Sequence, residues 1–563
     1  MNICGKLYSY IINKRLTQWI EENSIISESQ AGFRKRYSTA DHLFTLVALI
    51  QKQLCNHRKL YVAFIDFRKA FDSVVRTKLW NILRKRGVKG KMYQAIVCMY
   101  KVVKGKVRSG SDLTDLTDSF MCPRGLKQGD ICSPILFSMF IDELANEIME
   151  RGRHGIQLTP DLVQIFILMF ADDVILASYT VCGLQNQLNI LWETAERLGL
   201  AVNLDKSNII VFRNGGHIAS CEKWVYGENV MTVVNQYKYL GIYLSTRLTF
   251  SHALNDMAQR AKKGVVGIFK LLWSLGERSP SIFFKLFDTQ IQPMLNYGAE
   301  VWGLEADHTP IERIHLFAIK RFLNTSIRTP NVMVYGETGR YPLFMSTYVK
   351  CVKFWLRILK MSPHRLPYKA YKMLLYLHER NRRTWASSVC YVLYRHGFDE
   401  VWENQGVGDE KMFLKEFKDR LLTLYKEEWA TNLRINDRFS FYSTFKSNLS
   451  LSPYLNDLKH VKARNFLIRI RLGVSPLKIH KLRFATSTTQ ADLACPFCRN
   501  DTETEMHFIL ICPRYKEIRE LYIPKKYYNC PSSFKLTLLL ATSNKSLLLR
   551  LATYIFKAFQ IRN

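Results

Sequence analysis

Apolar positions along this chain follow two periods. In the first part, short apolar runs bounded by turn residues alternate with stretches of helical spacing, and from Thr249 onward the helical spacing dominates. The run LYVAFID (60–66) reads as a β-strand ending on a carboxylate, and TKLWNILRKRG (77–87) as a helix closed by a glycine. Pro134 opens a long helix, PILFSMFIDELANEIMERG, in which Leu136, Phe140, Leu144 and Ile148 recur on one face. FILMF and VILAS, separated by Ala-Asp-Asp, predict a β-hairpin. Leu184, Leu188, Leu191, Ala195 and Leu198 mark an amphipathic helix ended by Gly199, and SNIIVF and YKYLGIYL are the last strands of this half. HALNDMAQRAKKGVVGIFKLLWSL and KLFDTQIQPMLNYGAEVW then predict long helices of a second, mostly α part, with SPHRLP (362–367) and residues 450–453 as linker candidates.

At 563 residues the chain is long enough for roughly three or four domains, and 48% apolar residues with 13% aromatics is a core-forming composition. Charge changes the picture more. There are 81 Lys+Arg against 48 Asp+Glu, a formal +33 with a pI near 9.6, which predicts a polyanionic partner. An anionic membrane would attract the same charge, but no apolar run approaches the ~18 residues of a spanning helix. The nearest, QIFILMFADDVILAS, is interrupted by Asp172 and Asp173. The start carries Lys6, Lys14 and Arg15 without the small-residue cleavage pattern of a secretory signal. The chain is therefore expected inside the cell, in nucleus or cytoplasm, with no membrane partner. Thirteen cysteines, an odd number, suit reduced thiols better than a disulfide framework, apart from one cluster near the C-terminus.

Joining a nucleotide to a 3′-hydroxyl uses two divalent ions about 3.5–4 Å apart, and magnesium prefers a few carboxylates with phosphate and water oxygens. Asp66 at the end of LYVAFID, with Asp172 and Asp173 on the hairpin turn, are the candidate ligands. Each aspartate could equally be a solvated turn residue, although a carboxylate pair in so apolar a hairpin is costly without a cation.

The ordered series QAGFRKRYSTADHL, FIDFRKAFD, RGLKQGDICSPILF, FADD, GLAVNLDKSNII and YKYLGI, over residues 30–242, resembles the successive blocks of reverse transcriptases. It is most similar to the non-LTR, or LINE-type, retrotransposon enzymes. The resemblance implies an α+β fold: a right-hand polymerase of fingers, palm and helical thumb, then a mostly α C-terminal region with a small zinc-binding module. The expected segments are an N-terminally incomplete fingers and palm over 1–245, a thumb-like region over 246–365, an α-rich basic region over 366–484 and the zinc-bearing region over 485–563. Asp66, Asp172 and Asp173 would be the catalytic ligands of two Mg2+ ions, and Phe67, Phe71, Gln128, Gly129, Arg34 and Lys206 would bind the nucleotide. Phe71, five residues after Asp66, falls where these enzymes place the aromatic that closes the sugar 2′ side; without the resemblance it reads as core packing. Gln128 and Gly129 match the block that supports the nucleotide, and Lys206 the lysine near the leaving pyrophosphate. Arg34 lies in the basic finger run RKR, a clamp for triphosphate or a solvated patch. Leu240 and Gly241 resemble the turn that supports the primer end. Relatives carry more finger sequence before the first block and usually an upstream endonuclease; a chain beginning MNICGKLYSYIINKRL is expected to lack it.

Near the C-terminus Cys495-x2-Cys498-x8-His507-x4-Cys512 offers four soft ligands, a closed set for one structural zinc. Upstream, Lys459, Lys462, Arg464, Arg469, Arg471, Lys478, Lys481 and Arg483 are interleaved with apolar residues and no acid. With a second track of Lys353, Arg357 and Lys360, they are expected to contact nucleic-acid phosphates. The expected activity is RNA-directed DNA polymerisation, with an RNA template, a DNA primer or target and deoxynucleoside triphosphates as partners. A catalytically inactive RNA-binding derivative and an RNA-dependent RNA polymerase are the alternatives; intact aspartates disfavour the first and Phe71 the second.

Overall fold

The computed structural model describes residues 3–107, 118–158, 164–482 and 489–562, and in it the alternating pattern of the first half gathers around a five-stranded sheet. Its strands are β1 (Leu60–Ile65), β2 (Ile167–Phe170), β3 (Asp173–Ser178), β4 (Asn208–Phe212) and β5 (Thr232–Val233), in the order β5-β4-β1-β3-β2. Only the short β5–β4 pair is parallel. All six residues of β1 are buried because the strand is central and covered on both faces, which is why its sequence is a continuous apolar run instead of an alternation. Ala63, Ile65, Val174, Leu176 and Ile209 enter the main core on one face. On the other, Phe64 stacks on Tyr237, with ring centroids 4.4 Å apart. Tyr237 belongs to a separate hairpin, β6 (Gln236–Tyr239) and β7 (Ile242–Ser245).

The helices that matter below are α1 (Ile3–Glu22), α2 (Thr39–Cys55), α3 (Ser133–Arg151), α4 (Val181–Leu198), α5 (Ser251–Ser274), α6 (Pro280–Leu286), α7 (Thr309–Phe322), α8 (Phe344–Leu359), α9 (Leu366–Glu379) and α10 (Val461–Arg471). In α3, Pro134 occupies the first turn as expected, and Leu136, Phe140, Leu144 and Ile148 are all fully buried. Gly199 ends α4 with φ 78°, a left-handed stop that costs a glycine nothing. The predicted continuous helix over 285–302 is broken instead. Pro293 has no N–H to donate, so a π turn precedes it at Phe287–Ile291, and Gly298 turns the chain with φ 66°.

Two units, each discontinuous in sequence, make up the chain. The first comprises Met1–Ala253, Gly298–Ala306 and Cys351–Val407; the second comprises Leu254–Tyr297, Asp307–Lys350 and Gly408–Asn563. The cuts expected at 245, 365 and 484 therefore do not each bound a compact unit, and SPHRLP is a turn between α8 and α9 inside the first. The reason is α2, which is buried almost all round and needs cover on every side. Residues after Cys351 supply it: Phe44 meets Trp385 at 4.8 Å and Phe354 at 5.4 Å, and the Trp385 N–H donates to Gln51. The second unit is helical, and no described helix in either is long and apolar enough to cross a membrane.

Candidate functional site

Strands β1 and β3 are antiparallel neighbours with Ile65 opposite Val174, so Asp66, the residue after β1, falls beside Asp173 at the start of β3. Phe170 pairs with Asp173, leaving Ala171 and Asp172 as a two-residue turn. Three carboxylates thus arrive at one end of the sheet from adjacent strands. Their charges meet: burial, then Asp172, then Asp66 push the Asp173 carboxyl up to about 6. Tyr237 is pushed up to about 12 by burial and by Asp173 and Asp66, so the same negative charge reaches the β6–β7 hairpin. A half-buried set of oxygen donors that resists full ionisation is what a hard divalent cation relieves.

Asp66 is held by a turn 137 residues away in sequence. Asn203 Nδ2 donates to its carboxylate at 3.1 Å, Asn203 N–H donates to its carbonyl at 2.7 Å, and its own N–H donates to Ser207 Oγ at 3.0 Å. The block GLAVNLDKSNII therefore braces the strand end, and Asn203 and Ser207 are site residues that the sequence reading passed over. Their signal in the sequence is a polar pair flanking Lys206 within that block. Lys206 lies on this same turn, exposed, its carbonyl accepting from the Tyr237 hydroxyl at 3.1 Å.

A second brace was also missed. Ala171 has φ 59°, a left-handed conformation that strains any residue with a Cβ. Gln30, fully buried, satisfies both sides of this residue: its Oε1 accepts from Ala171 N–H at 3.0 Å and its Nε2 donates to Ala171 carbonyl at 3.2 Å. Gly32 makes room, since a Cβ there would stand 2.2 Å from Ala171 N. Gln30→Ala would take the side-chain partner from three buried backbone groups, the N–H and carbonyl of Ala171 and the Gly32 N–H, roughly 1–3 kcal/mol each, and free a turn that carries Asp172. The primer extension expected from the sequence should slow by about 10- to 100-fold, and Gln30→Glu should not restore it, because a carboxylate has no N–H to donate to the Ala171 carbonyl. A folded Gln30→Ala protein extending at the wild-type rate would remove Gln30 from the site.

Two of the residues expected at the nucleotide, Arg34 and Phe67, are buried. Arg34 is buried and fully used: Nε and Nη2 donate to the Glu21 carboxylate at 2.9 Å each, and Nη1 to the carbonyls of Ser27 and Gln30. It fastens the loop that follows α1 back onto that helix, and Lys35 and Arg36 are the exposed members of the run. Phe67 is core, 4% exposed. The others are more open to solvent. Phe71 is half-buried, stacked on Phe137 at 4.2 Å and edge-on to the exposed Phe33 at 6.1 Å. Leu126 N–H donates to Phe71 carbonyl and exposed Gln128 donates to Asp72, so the RGLKQGD block docks on the turn after Asp66. Gly129 has φ 78° and is exposed. Leu240 and Gly241, both left-handed, form the two-residue turn of the β6–β7 hairpin.

In the second unit the ligand atoms of Cys495, Cys498, His507 and Cys512 all lie within 4.8 Å of one another. Cys498 Sγ is 3.3 Å from His507 Nε2, and Cys495 Sγ is 3.9 Å from Cys512 Sγ. The x4 spacing works because His507–Ile511 is a π turn, closed by Cys512 N–H to His507 carbonyl, which brings residues five apart onto one side. Buried Arg519 donates to the carbonyls of Ile509, Ile511 and Cys512 and holds that turn. Burial and the neighbouring thiols push Cys512 up to about 12, and burial lowers His507, keeping the imidazole neutral as a ligand must be.

The basic tracks divide. Arg471 is buried against the fully buried Glu337 at 3.0 Å, and Arg464 is 4% exposed, so neither is a phosphate contact as expected from sequence. A buried arginine needs a carboxylate or carbonyls, and here they come from residues far away in the chain. Lys459, Lys462 and Lys481 are exposed, Arg469 and Lys478 are partly so, and Arg483 lies outside the described residues. In the other track Lys353, Arg357 and Lys360 are all exposed, and Arg357 is paired with Asp41.

Residues 1–244 match the family described as reverse transcriptase (RNA-dependent DNA polymerase). Among characterised proteins the chain is 26% identical over 328 residues to the probable RNA-directed DNA polymerase from transposon X-element of Drosophila melanogaster, covering 55% of this chain and 33% of that one. It is 26% identical over 316 residues to the RNA-directed DNA polymerase from mobile element jockey of the same fly, covering 54% and 32%. The match spans about a third of the length of these relatives. A solved telomerase from Candida albicans, in complex with a TWJ fragment of telomeric RNA, aligns with 12% identity and a TM-score of 0.33 over 71% of this chain and 59% of that one, too distant to support an argument. Residues 1–244 are thus similar to reverse transcriptases, the relatives they resemble include polymerases of mobile elements, and a mostly helical region follows.

Proposed function

We propose that the protein is an RNA-directed DNA polymerase that extends a DNA primer on an RNA template from deoxynucleoside triphosphates. The observation that carries this is the convergence of Asp66, Asp172 and Asp173 on one sheet end, with the Asp173 carboxyl pushed up to about 6 by burial and then by its neighbours. In this reading the sheet is the palm, the segment from α1 through Tyr37 belongs to the fingers, and α5 opens the thumb. The three aspartates would hold two Mg2+ ions, which when bound activate the primer 3′-hydroxyl and neutralise the triphosphate. The chain's own groups do the rest. Asn203, Ser207 and Gln30 fix the carboxylates, Gln128 and Gly129 border the nucleotide, and Leu240–Gly241 borders the primer end. Lys206 faces the developing charge as the primer oxygen bonds to the α-phosphorus and pyrophosphate leaves. Cys495, Cys498, His507 and Cys512 would hold one structural Zn2+. The test is primer extension with RNA template, DNA primer and Mg2+: dNTP incorporation directed by the template is expected, and incorporation of ribonucleotides alone, or none by a folded chain, would overturn the reading.

Sugar choice follows from Phe71. The ring is wedged by its stack on Phe137 and cannot swing away, so a 2′-hydroxyl brought against it meets both a clash and a loss of hydrogen bonding. Each ~1.4 kcal/mol of that penalty is tenfold in selectivity. Phe71→Ala should lower the dNTP-to-rNTP efficiency ratio by at least about tenfold while DNA synthesis remains measurable. An unchanged ratio in an active variant would make Phe71 a packing residue only.

A further inference from the structure

A second site lies in the helical unit, remote in sequence from the aspartates. Between α5, α6, α7 and α10 is a cavity of about 100 Å³. Its floor is aromatic: Phe283 and Phe322 stack at 4.9 Å with planes 12° apart. Its rim is Trp273, 59% exposed, with the Arg278 guanidinium 4.4 Å over the indole. Arg321, exposed, stands at the same opening over Phe269. From α10, Arg464 reaches in from below. It is 4% exposed, its Nη1 donates to the carbonyls of Arg278 and Leu455, its guanidinium lies 5.6 Å from the Phe322 centroid, and its Nε–H has no hydrogen-bond partner.

We propose that this pocket captures one unpaired nucleobase of a single-stranded nucleic acid. A base offers what the pocket lacks: a flat π-face for Trp273 and an in-plane oxygen or nitrogen acceptor for the buried Arg464 Nε–H. An apolar protein side chain would fill the same space and leave that donor unmet at a desolvation cost, so it fits less well. The phosphates on either side of the base meet Arg278, Arg321 and the exposed Lys270, which stands three residues before Trp273 on the same face of α5. The one acid on the lining, Glu277, turns its Oε1 to the backbone, where it accepts from the N–H groups of Arg278 and Ser279. The choice of ligand goes beyond the polymerase reading, because it needs neither metal nor catalysis.

The test uses the full chain in EDTA without nucleotides, so a chain that proved not to be a polymerase would still answer it. Labelled single-stranded RNA and DNA oligomers of one sequence, and a blunt duplex, are titrated against wild type, Trp273→Ala and Trp273→Phe. Trp273→Ala should weaken single-strand binding by roughly 5- to 100-fold, the loss of one base stack, and leave duplex binding unchanged, with Trp273→Phe restoring most of it. Arg464→Met should weaken the same arm. Weakening of both strands assigns the pocket to bases of either sugar type, and weakening of RNA alone assigns it to RNA. Unchanged single-strand affinity in a folded Trp273→Ala protein overturns the proposal and is the outcome a protein-docking pocket would give. Equal competition by free mononucleotides at the oligomer's affinity would overturn it too.

Discussion

Asp172→Asn should abolish primer extension, by ~10³-fold or more, while leaving the fold intact or better. The direction of the stability effect follows from Asp173. Its ordinary pKa is ~3.9, and in the metal-free fold it is pushed up to about 6 by burial, by Asp172 and by Asp66. The unfolded chain therefore ionises it more readily than the folded one. Net stability is lost as pH rises from about 4 through about 6 and does not return above that range. Removing the Asp172 charge takes away one of the causes, so the variant should lose less over that window. Thermal unfolding in EDTA at pH 5 and 7.5, with extension assays in parallel, separates a metal-binding carboxylate from a structural one. A variant that extends normally, or one that unfolds several degrees below wild type at pH 7.5, would refute the assignment. Mg2+ affinity should also fall as pH drops below about 6, where a proton competes for Asp173.

Removing the metal from the cysteine-histidine cluster should unfold its surroundings without disturbing the aspartate site. Structural zinc contributes ~10–16 kcal/mol in isolated fingers, far more than a region of short helices can replace. The ligands are linked to the rest of the unit through Arg519 and through the Tyr554 hydroxyl, which donates to Phe508 carbonyl at 2.7 Å. Metal analysis should find about one zinc per chain. Cys498→Ser, or a strong chelator, should release it, and amide exchange over 495–519 should rise while β1, β3 and β4 stay protected. A metal-free chain with that segment still protected would show that burial alone holds the four side chains together.

Much of this could be read along the chain, because the signals are local. A strand ending on Asp66, a hairpin turn carrying Asp172 and Asp173, Pro134 opening a helix with Gly199 closing another, and four soft ligands at x2, x8 and x4 spacing each depend on residues a few positions apart. Backbone geometry turns such spacings directly into position. What tertiary structure decided is which polar side chains are already spent. In the run RKR, Arg34 is consumed by Glu21 and the loop carbonyls and its neighbours are not. In the basic track, Arg471 is consumed by Glu337, 134 residues earlier, whereas Lys462 on the same helix is exposed. Gln30 reads as an ordinary polar residue until the hairpin 141 residues later brings it the strained Ala171. The return of 351–407 to cover α2 is the same kind of event. Periodicity shows that a helix wants to be buried and a charge wants a partner, but the partner is chosen by three-dimensional packing, where sequence distance has no weight.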